Sequence, residues 1–307
     1  MNQLPFDKPG RFFRGNMHTH STESDGVLSA ERVCQIYREA GYDFLAITDH
    51  FLPTYDYPIT DTRPYRTDDF TTLLGAELHS GTTEFGSLWH ILAVGLPLDF
   101  PRTNLEIESG PDLAQRALDA GAYVAVAHPN WYALTEADVL SMPEGVHAIE
   151  IFNGTSTDHN DRVDSWYMSD LMSHRGRRFT CCATDDAHFR PERNDALLGW
   201  VMVKAEENSP EALLGALKAG DYYSSTGPQI HDVQIDLHAK KLYIRCDAAA
   251  YIYVTGTLYR ADKKGGAALY EAELDLSKLQ DSPFCRVTIR APDGGRAWTN
   301  PIWFDAL

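Results

Sequence analysis

The chain reads as an α/β protein followed by a small all-β domain, and three observations carry that reading. Between about residues 15 and 225, apolar strand-like runs alternate with segments of helical period, the pattern of parallel βα units. Residues of metal-ligand type close or directly follow several strand-like runs, and side chains gathered at strand C-terminal ends mark a barrel with its active face there. From Gln229 onward the helical period is gone and short β-rich runs take over. The expected division is residues 1–228 for the barrel and 229–307 for a β-sandwich-like domain without a ligand pattern of its own.

The elements follow in order. Ala30 to Ala40 sets Val33, Ile36, Tyr37 and Ala40 on one helical face, with Ser29 as N-cap and Gly41 as terminator. Phe44 to Thr48 is a buried strand delivering His50, and Thr72 to Leu78 and His90 to Val94 are two more. Pro111 to Ala120 is a helix with Leu113, Ala114, Ala117 and Leu118 inward, and Tyr123 to Ala127 delivers His128. His147 to Asn153 is a strand, and Asp161 to His174 a helix that turns Val163, Trp166, Tyr167 and Leu171 inward. Phe179 to Thr184 leads to Asp186 and His188, Trp200 to Val203 is a strand, and Ser209-Pro210-Glu211 opens a helix that Gly220 ends. Past Gly227-Pro228, strands are expected at Val233 to Leu237, Lys241 to Arg245, Tyr251 to Val254, Ala268 to Ala272 and Phe284 to Ile289. Turn formers at Asp262-Lys263-Lys264-Gly265-Gly266 and Pro292-Asp293-Gly294-Gly295 separate some of them.

Composition narrows the function classes. At 307 residues, with 43% hydrophobic and 23% charged, the chain is an ordinary globular protein. A formal charge of −17 repels phosphate backbones, so a long nucleic acid is not the expected partner, although a local cationic site still accepts a small anion. No run of about 18 apolar residues suggests a membrane span, and Met1 to Gly10 does not resemble a secretory signal. The five cysteines have no metal-ligand spacing and suit a reducing cytoplasm. The oligomeric state is not readable.

The chemistry lies in His18-Thr19-His20, Ser24-Asp25-Gly26, Thr48-Asp49-His50, Glu77, His90, His128-Pro129 and Asp186-Ala187-His188. Imidazole and carboxylate suit Zn, Mn and Fe(II). A His-x-His pair in an extended segment places both rings on one side, because strand side chains alternate. His147, His174, His231 and His238 are expected to be incidental.

The order and local context of these motifs resemble the polymerase-and-histidinol-phosphatase (PHP) family of metal-dependent phosphoesterases, over about residues 15–225. The resemblance implies a distorted (β/α)7 barrel holding two or three divalent ions of Zn, Mn or Fe. By position it implies His18, His20, Glu77 and Asp186 at a first ion, Glu77, His90 and His128 at a second, and Asp25, His50 and His188 at a third. Asp25 stands where some family members carry His. Glu77, Asp25, His50 and His188 are the expected catalytic residues, acting on a small phosphorylated substrate through a hydroxide shared by two ions.

His79, two residues after Glu77, is expected beside the ligands or against the substrate, and Asp185 beside them or as plain surface charge. Arg66, Arg190 and Arg193, with Arg63, are candidates for phosphate contacts, because a guanidinium fork matches its oxygens. The long segment Phe51 to Asp69 is expected to cover the active face as a lid, and Trp131, Tyr132 and Asn153 are candidates to line the pocket. Two other readings stay open. Arg14 to His20 and Ala297 to Trp303 look like a branch of the family with carbamate and ester hydrolases such as carbaryl hydrolase. A binding scaffold without catalysis is the other, and it predicts eroded ligands.

Overall fold

A computed structural model describes residues 4–307. Strand β1 (Arg11–Asn16) leads into helix α1 (Ala30–Glu39), where Ser29 accepts from Arg32 N as the expected cap. Then come β2 (Phe44–Ile47), the two-residue β3 (His50–Phe51), β4 (Thr71–Leu78) and β5 (Ile91–Val94). Helix α2 (Gly110–Asp119) precedes β6 (Tyr123–Val126), and α3 (Glu136–Ser141) precedes β7 (Ala148–Asn153). Two helices, α4 (Ser156–His159) and α5 (Trp166–His174), separate β7 from β8 (Thr180–Thr184). Strand β9 (Trp200–Ala205), α6 (Pro210–Ala219) and β10 (Tyr222–Ser225) follow, with Gly220 leaving α6 at φ 77° as its predicted terminator. The rest is β11 (Ile230–Asp236), β12 (Lys241–Thr255), β13 (Ala261–Asp275), β14 (Phe284–Arg290), β15 (Arg296–Thr299) and β16 (Ile302–Trp303).

The result is a mixed α/β structure built on one large sheet, whose hydrogen-bonded path runs β11-β12-β14-β15-β10-β9-β1-β2-β4-β5-β6-β7-β8. Pairs β1–β2, β2–β4, β6–β7 and β7–β8 are parallel, as alternating strands and helices require. Strand β5 is antiparallel to both β4 and β6. No helix lies between β4 and β5 to carry the chain back across the sheet, so β5 has to run the other way.

Two apolar layers cover the strands. Along β6, Val124 and Val126 pack with Leu113, Ala117 and Val139, whereas Tyr123 and Ala125 pack with Phe44, Val201 and Leu217. Burial on both faces explains why these runs are continuously apolar.

The path is open: among the described residues no ladder joins β8 to β9 or β10. Side chains bridge the seam instead. The Ser224 hydroxyl on β10 accepts from Ala183 N at 3.0 Å and donates to Cys181 O at 2.8 Å. The Tyr222 hydroxyl donates to Thr180 Oγ1 at 2.7 Å, and Asn300 Oδ1 accepts from Cys181 N at 2.8 Å.

After residue 229, Val233, Ile244, Ile252, Val287 and Ile289 share a separate apolar cluster, while β15 pairs with β10 and continues the main ladder. Two expectations are corrected. Asp262 to Gly266 is no turn but lies inside β13: Asp262 to Gly265 pair in register with Val254 to Tyr251 of β12, and Gly266 opens a bulge of β13 that closes where Leu269 meets Ala249. Tyr167 is 80% exposed and only Trp166 of the predicted inward set is buried, because α5 begins at Trp166 and not at Asp161. Residues 160–165 are irregular, so the helical phase counted from Val163 is lost.

Replacing Ser224 by Ala leaves two fully buried backbone groups of β8 without partners. The expected loss is about 2–6 kcal/mol, at about 1–3 for each stranded group, read from the midpoint of denaturant unfolding.

Candidate metal centre

The predicted ligands come together at one end of the strands. His18 and His20 follow β1 in extended chain, held beside the loop after β8 by the Thr19–Ala187 bridge and by Asp186 N donating to His18 O at 2.8 Å. His50 opens β3, and its register partner on β4 is Glu77. His90 precedes β5, and because that strand runs backwards its start lies at the edge where the parallel strands end. His128 follows β6, and Asp186 and His188 follow β8. Gly26 closes the loop carrying Asp25; a Cβ there would lie 2.5 Å from His20 O, so the Ser24-Asp25-Gly26 motif requires glycine.

Five groups of ligand-type atoms result among the described residues: the three of the predicted ligands, His18–His20–Asp186, Glu77–His90–His128 and Asp25–His50–His188 with His20, and two more, His18–His128–Glu150 and His50–Glu77–His79. Glu77 faces two ways. Its Oε1 lies 2.7 Å from His90 Nδ1 and 3.1 Å from His128 Nε2, while Oε2 lies 3.7 Å from both His18 Nε2 and His20 Nε2. His20 Nε2 lies 2.9 Å from Asp186 Oδ1. In the third group, Asp25 Oδ1 is 3.4 Å from His50 Nε2 and 3.2 Å from His188 Nε2.

Of the ring nitrogens facing away from these groups, those of His18 and His188 are engaged, whereas His128 Nδ1 is buried without a partner. His18 Nδ1 donates to Glu150 Oε1 at 2.9 Å, and His188 Nδ1 to Asp186 O at 2.8 Å. Such bonds fix the ring and leave the other nitrogen to meet a cation. Conversely, His18 Nε2, Asp25 Oδ1 and Glu77 Oε2 are buried and have no hydrogen-bond partner. Stranded buried polar atoms each cost about 1–3 kcal/mol. One stranded atom in each of the three predicted groups is what a site for divalent ions leaves, and the oxygen and imidazole donors suit Zn, Mn or Fe(II). The residues fit such ions.

Charge tells the same story. Burial alone favours the neutral forms, yet Glu77 and Asp186 are held well below the carboxylate range by the imidazoles around them. Burial opposes a proton on His50 and His18. Glu77 nevertheless pushes His50 up to about 9, and Asp186 with Glu150 raises His18 well above its usual value. Burial and the charges of His188 and His50 push His20 down to about 4. Without ions, protons on some rings balance the carboxylates.

Sequence reasoning missed Glu150. It is fully buried on β7, holds His18, accepts from His128 N at 2.6 Å and from Asn153 Nδ2 at 3.2 Å, and takes the Thr184 hydroxyl. His128 and Asp186 sit at φ 23° and 53°, a region that costs a non-glycine residue energy; the bond from His128 N to Glu150 and that from Asp186 N to His18 O hold them there. The alternation of β7 was the available signal: a Glu between Ile149 and Ile151 in a strand buried on both faces needs partners.

The cavity above the groups has a volume of about 220 Å³ and is lined also by Trp131, Thr155, His159, Arg190 and Arg193. Arg190 Nη2 donates to Asp25 Oδ2 at 2.9 Å, and Arg193 Nη2 to His159 Nδ1 at 2.8 Å, with His159 stacked on Trp131. His159 was not anticipated.

Other expectations change. Arg66 does not line the cavity; its guanidinium holds Thr72 O at 2.8 Å, and Arg63 is paired with Asp61 on the surface. His79 is 1% exposed with both nitrogens engaged, so it is no substrate contact. Asp185 is buried and accepts from Leu197, Leu198 and Gly199 amides and from the Tyr37 hydroxyl; burial lifts it to about 6 despite those bonds. It fastens the 197–199 turn. Tyr132 packs beneath His90, and Asn153 holds Asp186 Oδ2 at 3.0 Å. The 51–69 segment is pinned by Tyr57 to Thr103 O, by Thr60 to Asp49, by Thr62 O to Thr72 and by Arg66.

In sequence the chain matches no family model and no curated protein. In structure it is similar to a two-domain protein from Bacteroides vulgatus containing a predicted PHP-like metal-dependent phosphoesterase. That likeness has a TM-score of 0.51 and 17% identity, and covers 98% of each chain. Weaker likenesses reach a putative metal-dependent phosphoesterase from Bifidobacterium adolescentis (TM-score 0.43, 14% identity, 59% of this chain and 90% of that one). A further one reaches an amidohydrolase from Chromobacterium violaceum with bound sulfate and no metal (TM-score 0.46, 16% identity, 59% and 89%). At these identities the likeness is one of fold, and for the first protein it extends over almost the whole chain.

Ion uptake should release protons. A ring must shed its proton to become a ligand, and His50 at about 9 and the raised His18 hold theirs at neutral pH. Affinity for Zn or Mn therefore falls as pH drops below 9 and rises toward it, by about tenfold per pH unit for each proton displaced. Calorimetry on chelator-treated protein, in buffers of different ionisation enthalpy at pH 7, counts the protons; uptake without release contradicts the assignment.

Proposed function

We propose that the chain is a metal-dependent hydrolase of a small phosphoester, working with two or three divalent ions of Zn, Mn or Fe. His18, His20, Asp186 and Glu77 would hold the first ion, Glu77, His90 and His128 the second, and Asp25, His50 and His188 the third. Residues 1–228 are read as a distorted barrel presenting this site and 229–307 as its β companion.

One observation carries the reading: a small cavity has imidazoles and carboxylates as its floor and two guanidiniums, Arg190 and Arg193, on its wall. Bound on that floor, divalent ions acidify water toward neutral pH and neutralise charge on a phosphoryl group. The protein's own part is positioning. Glu77 offers one oxygen to each side of the floor, so it ties two ion positions together. Arg190 and Arg193 supply fork-shaped donors for phosphate oxygens, and Arg190 already rests on a carboxylate, Asp25. The cavity is smaller than the usual 300–1,000 Å³ of drug-sized ligands, which favours a small ester.

Ester or carbamate hydrolysis could use the same floor, but a neutral carbonyl substrate has no need of two guanidiniums. The full set of ligand residues weighs against a scaffold without catalysis.

The test is elemental analysis of the purified protein, coupled to assays on a phosphomonoester, a phosphodiester and an aryl ester. His18→Ala should lose bound ion and nearly all turnover together; retention of both sinks the proposal. Arg193→Ala should keep its ions and raise KM for the phosphoester by about ten- to a hundredfold, the worth of a lost bond to a charged group. Faster turnover of the aryl ester than of either phosphoester would favour the second reading.

A further inference from the structure

His79 lies at the centre of a chain of hydrogen bonds that ends at the third ligand group. Its Nδ1 lies 2.9 Å from Trp89 O, and its Nε2 lies 2.9 Å from His50 Nδ1. A carbonyl oxygen only accepts, so Nδ1 of His79 carries a proton. Two ring nitrogens in hydrogen-bond contact need one proton between them, and a neutral His79 ring leaves that proton on His50 Nδ1. The lone pair of His50 is then on Nε2, which faces Asp25 Oδ1 and the His188 ring.

A competing acceptor is near. Glu77 Oε2 lies 2.7 Å from His50 Nδ1, yet it has no hydrogen-bond partner. The His50 N–H therefore points past Glu77 at His79. The separation of the two rings also suits a hydrogen bond better than shared ligation of a tetrahedral zinc. Two nitrogens on one tetrahedral zinc at 2.0–2.1 Å lie about 3.3 Å apart, and this pair is at 2.9 Å.

We infer that His79 is a positioning residue: fixed by Trp89 O, it holds His50 in the ring form and orientation that present Nε2 to an ion between Asp25, His50 and His188. The inference rests on reading that group as an ion site. It explains why a histidine with no access to the cavity stands two residues from Glu77: strand alternation aims both the same way. Once Glu77 Oε2 is taken up by ions, His79 is the acceptor left for His50.

Two substitutions separate the halves of His79. In His79→Gln, the amide oxygen reaches the place of Nε2 and can accept from His50. In His79→Asn, the shorter amide can still donate to Trp89 O but does not reach His50. Zinc is titrated into each metal-free protein against a chromophoric chelator, and the ring nitrogens of His50 are followed by NMR. The wild-type protein should take three equivalents and retain a protonated His50 Nδ1. His79→Asn should bind the third ion about ten- to a hundredfold more weakly, the usual effect of removing a partner of a ligating histidine, and lose the protected Nδ1–H signal. His79→Gln should recover most of both. Equal affinities in Asn and Gln variants, or a wild-type protein that takes only two equivalents, overturn the inference. His18→Ala serves as the control: if it too binds zinc unchanged, the metal-centre reading itself has failed.

Discussion

Glu77, Glu150 and Asp186 are buried almost completely, within a few ångströms of one another's imidazole partners. A buried carboxylate without compensation costs several kcal/mol, so the fold must bring positive charge to this place in every state. Without ions it does so by holding protons on His18 and His50. On the proposed reading, the same carboxylates and the freed ring nitrogens would become ligands once ions bind. The convergence of strand ends β1, β4, β6 and β8 follows from that requirement.

Holding the groups in place has a local cost that the surroundings offset. His128 and Asp186 adopt left-handed backbone conformations, and each has its amide taken by another part of the centre: His128 N by Glu150 and Asp186 N by His18 O. Glu150 thus links β6, β7 and the segment after β1 through one carboxylate. Asp185, next to Asp186, does the same for the turn at residues 197–199.

Much of this was legible in the sequence where the signal was local. The caps Ser29 and Ser209, the terminator Gly220 and the apolar runs of β2 and β6 give their elements directly. The ligand-type residues were visible because each sits where an apolar run ends. Less was legible where partners are distant. Nothing near Glu150 announces that it meets His18, and His159 enters the cavity only because α4 turns back toward Trp131. Asp262 to Gly266 has turn composition, but pairing with β12 overrides it. Arg66 carries the right chemistry for phosphate, yet the carbonyl of Thr72 claims it. The open seam at β8 depends on hydroxyls of Ser224 and Tyr222 that no periodicity marks.

The segment from Phe51 to Asp69 shows how several ties act together. It is fastened through Tyr57, Thr60, Thr62 and Arg66. In this conformation its ties fix the outline of the chain between His50 and β4, so that freeing the segment means breaking bonds to Asp49, Thr72 and Thr103 together.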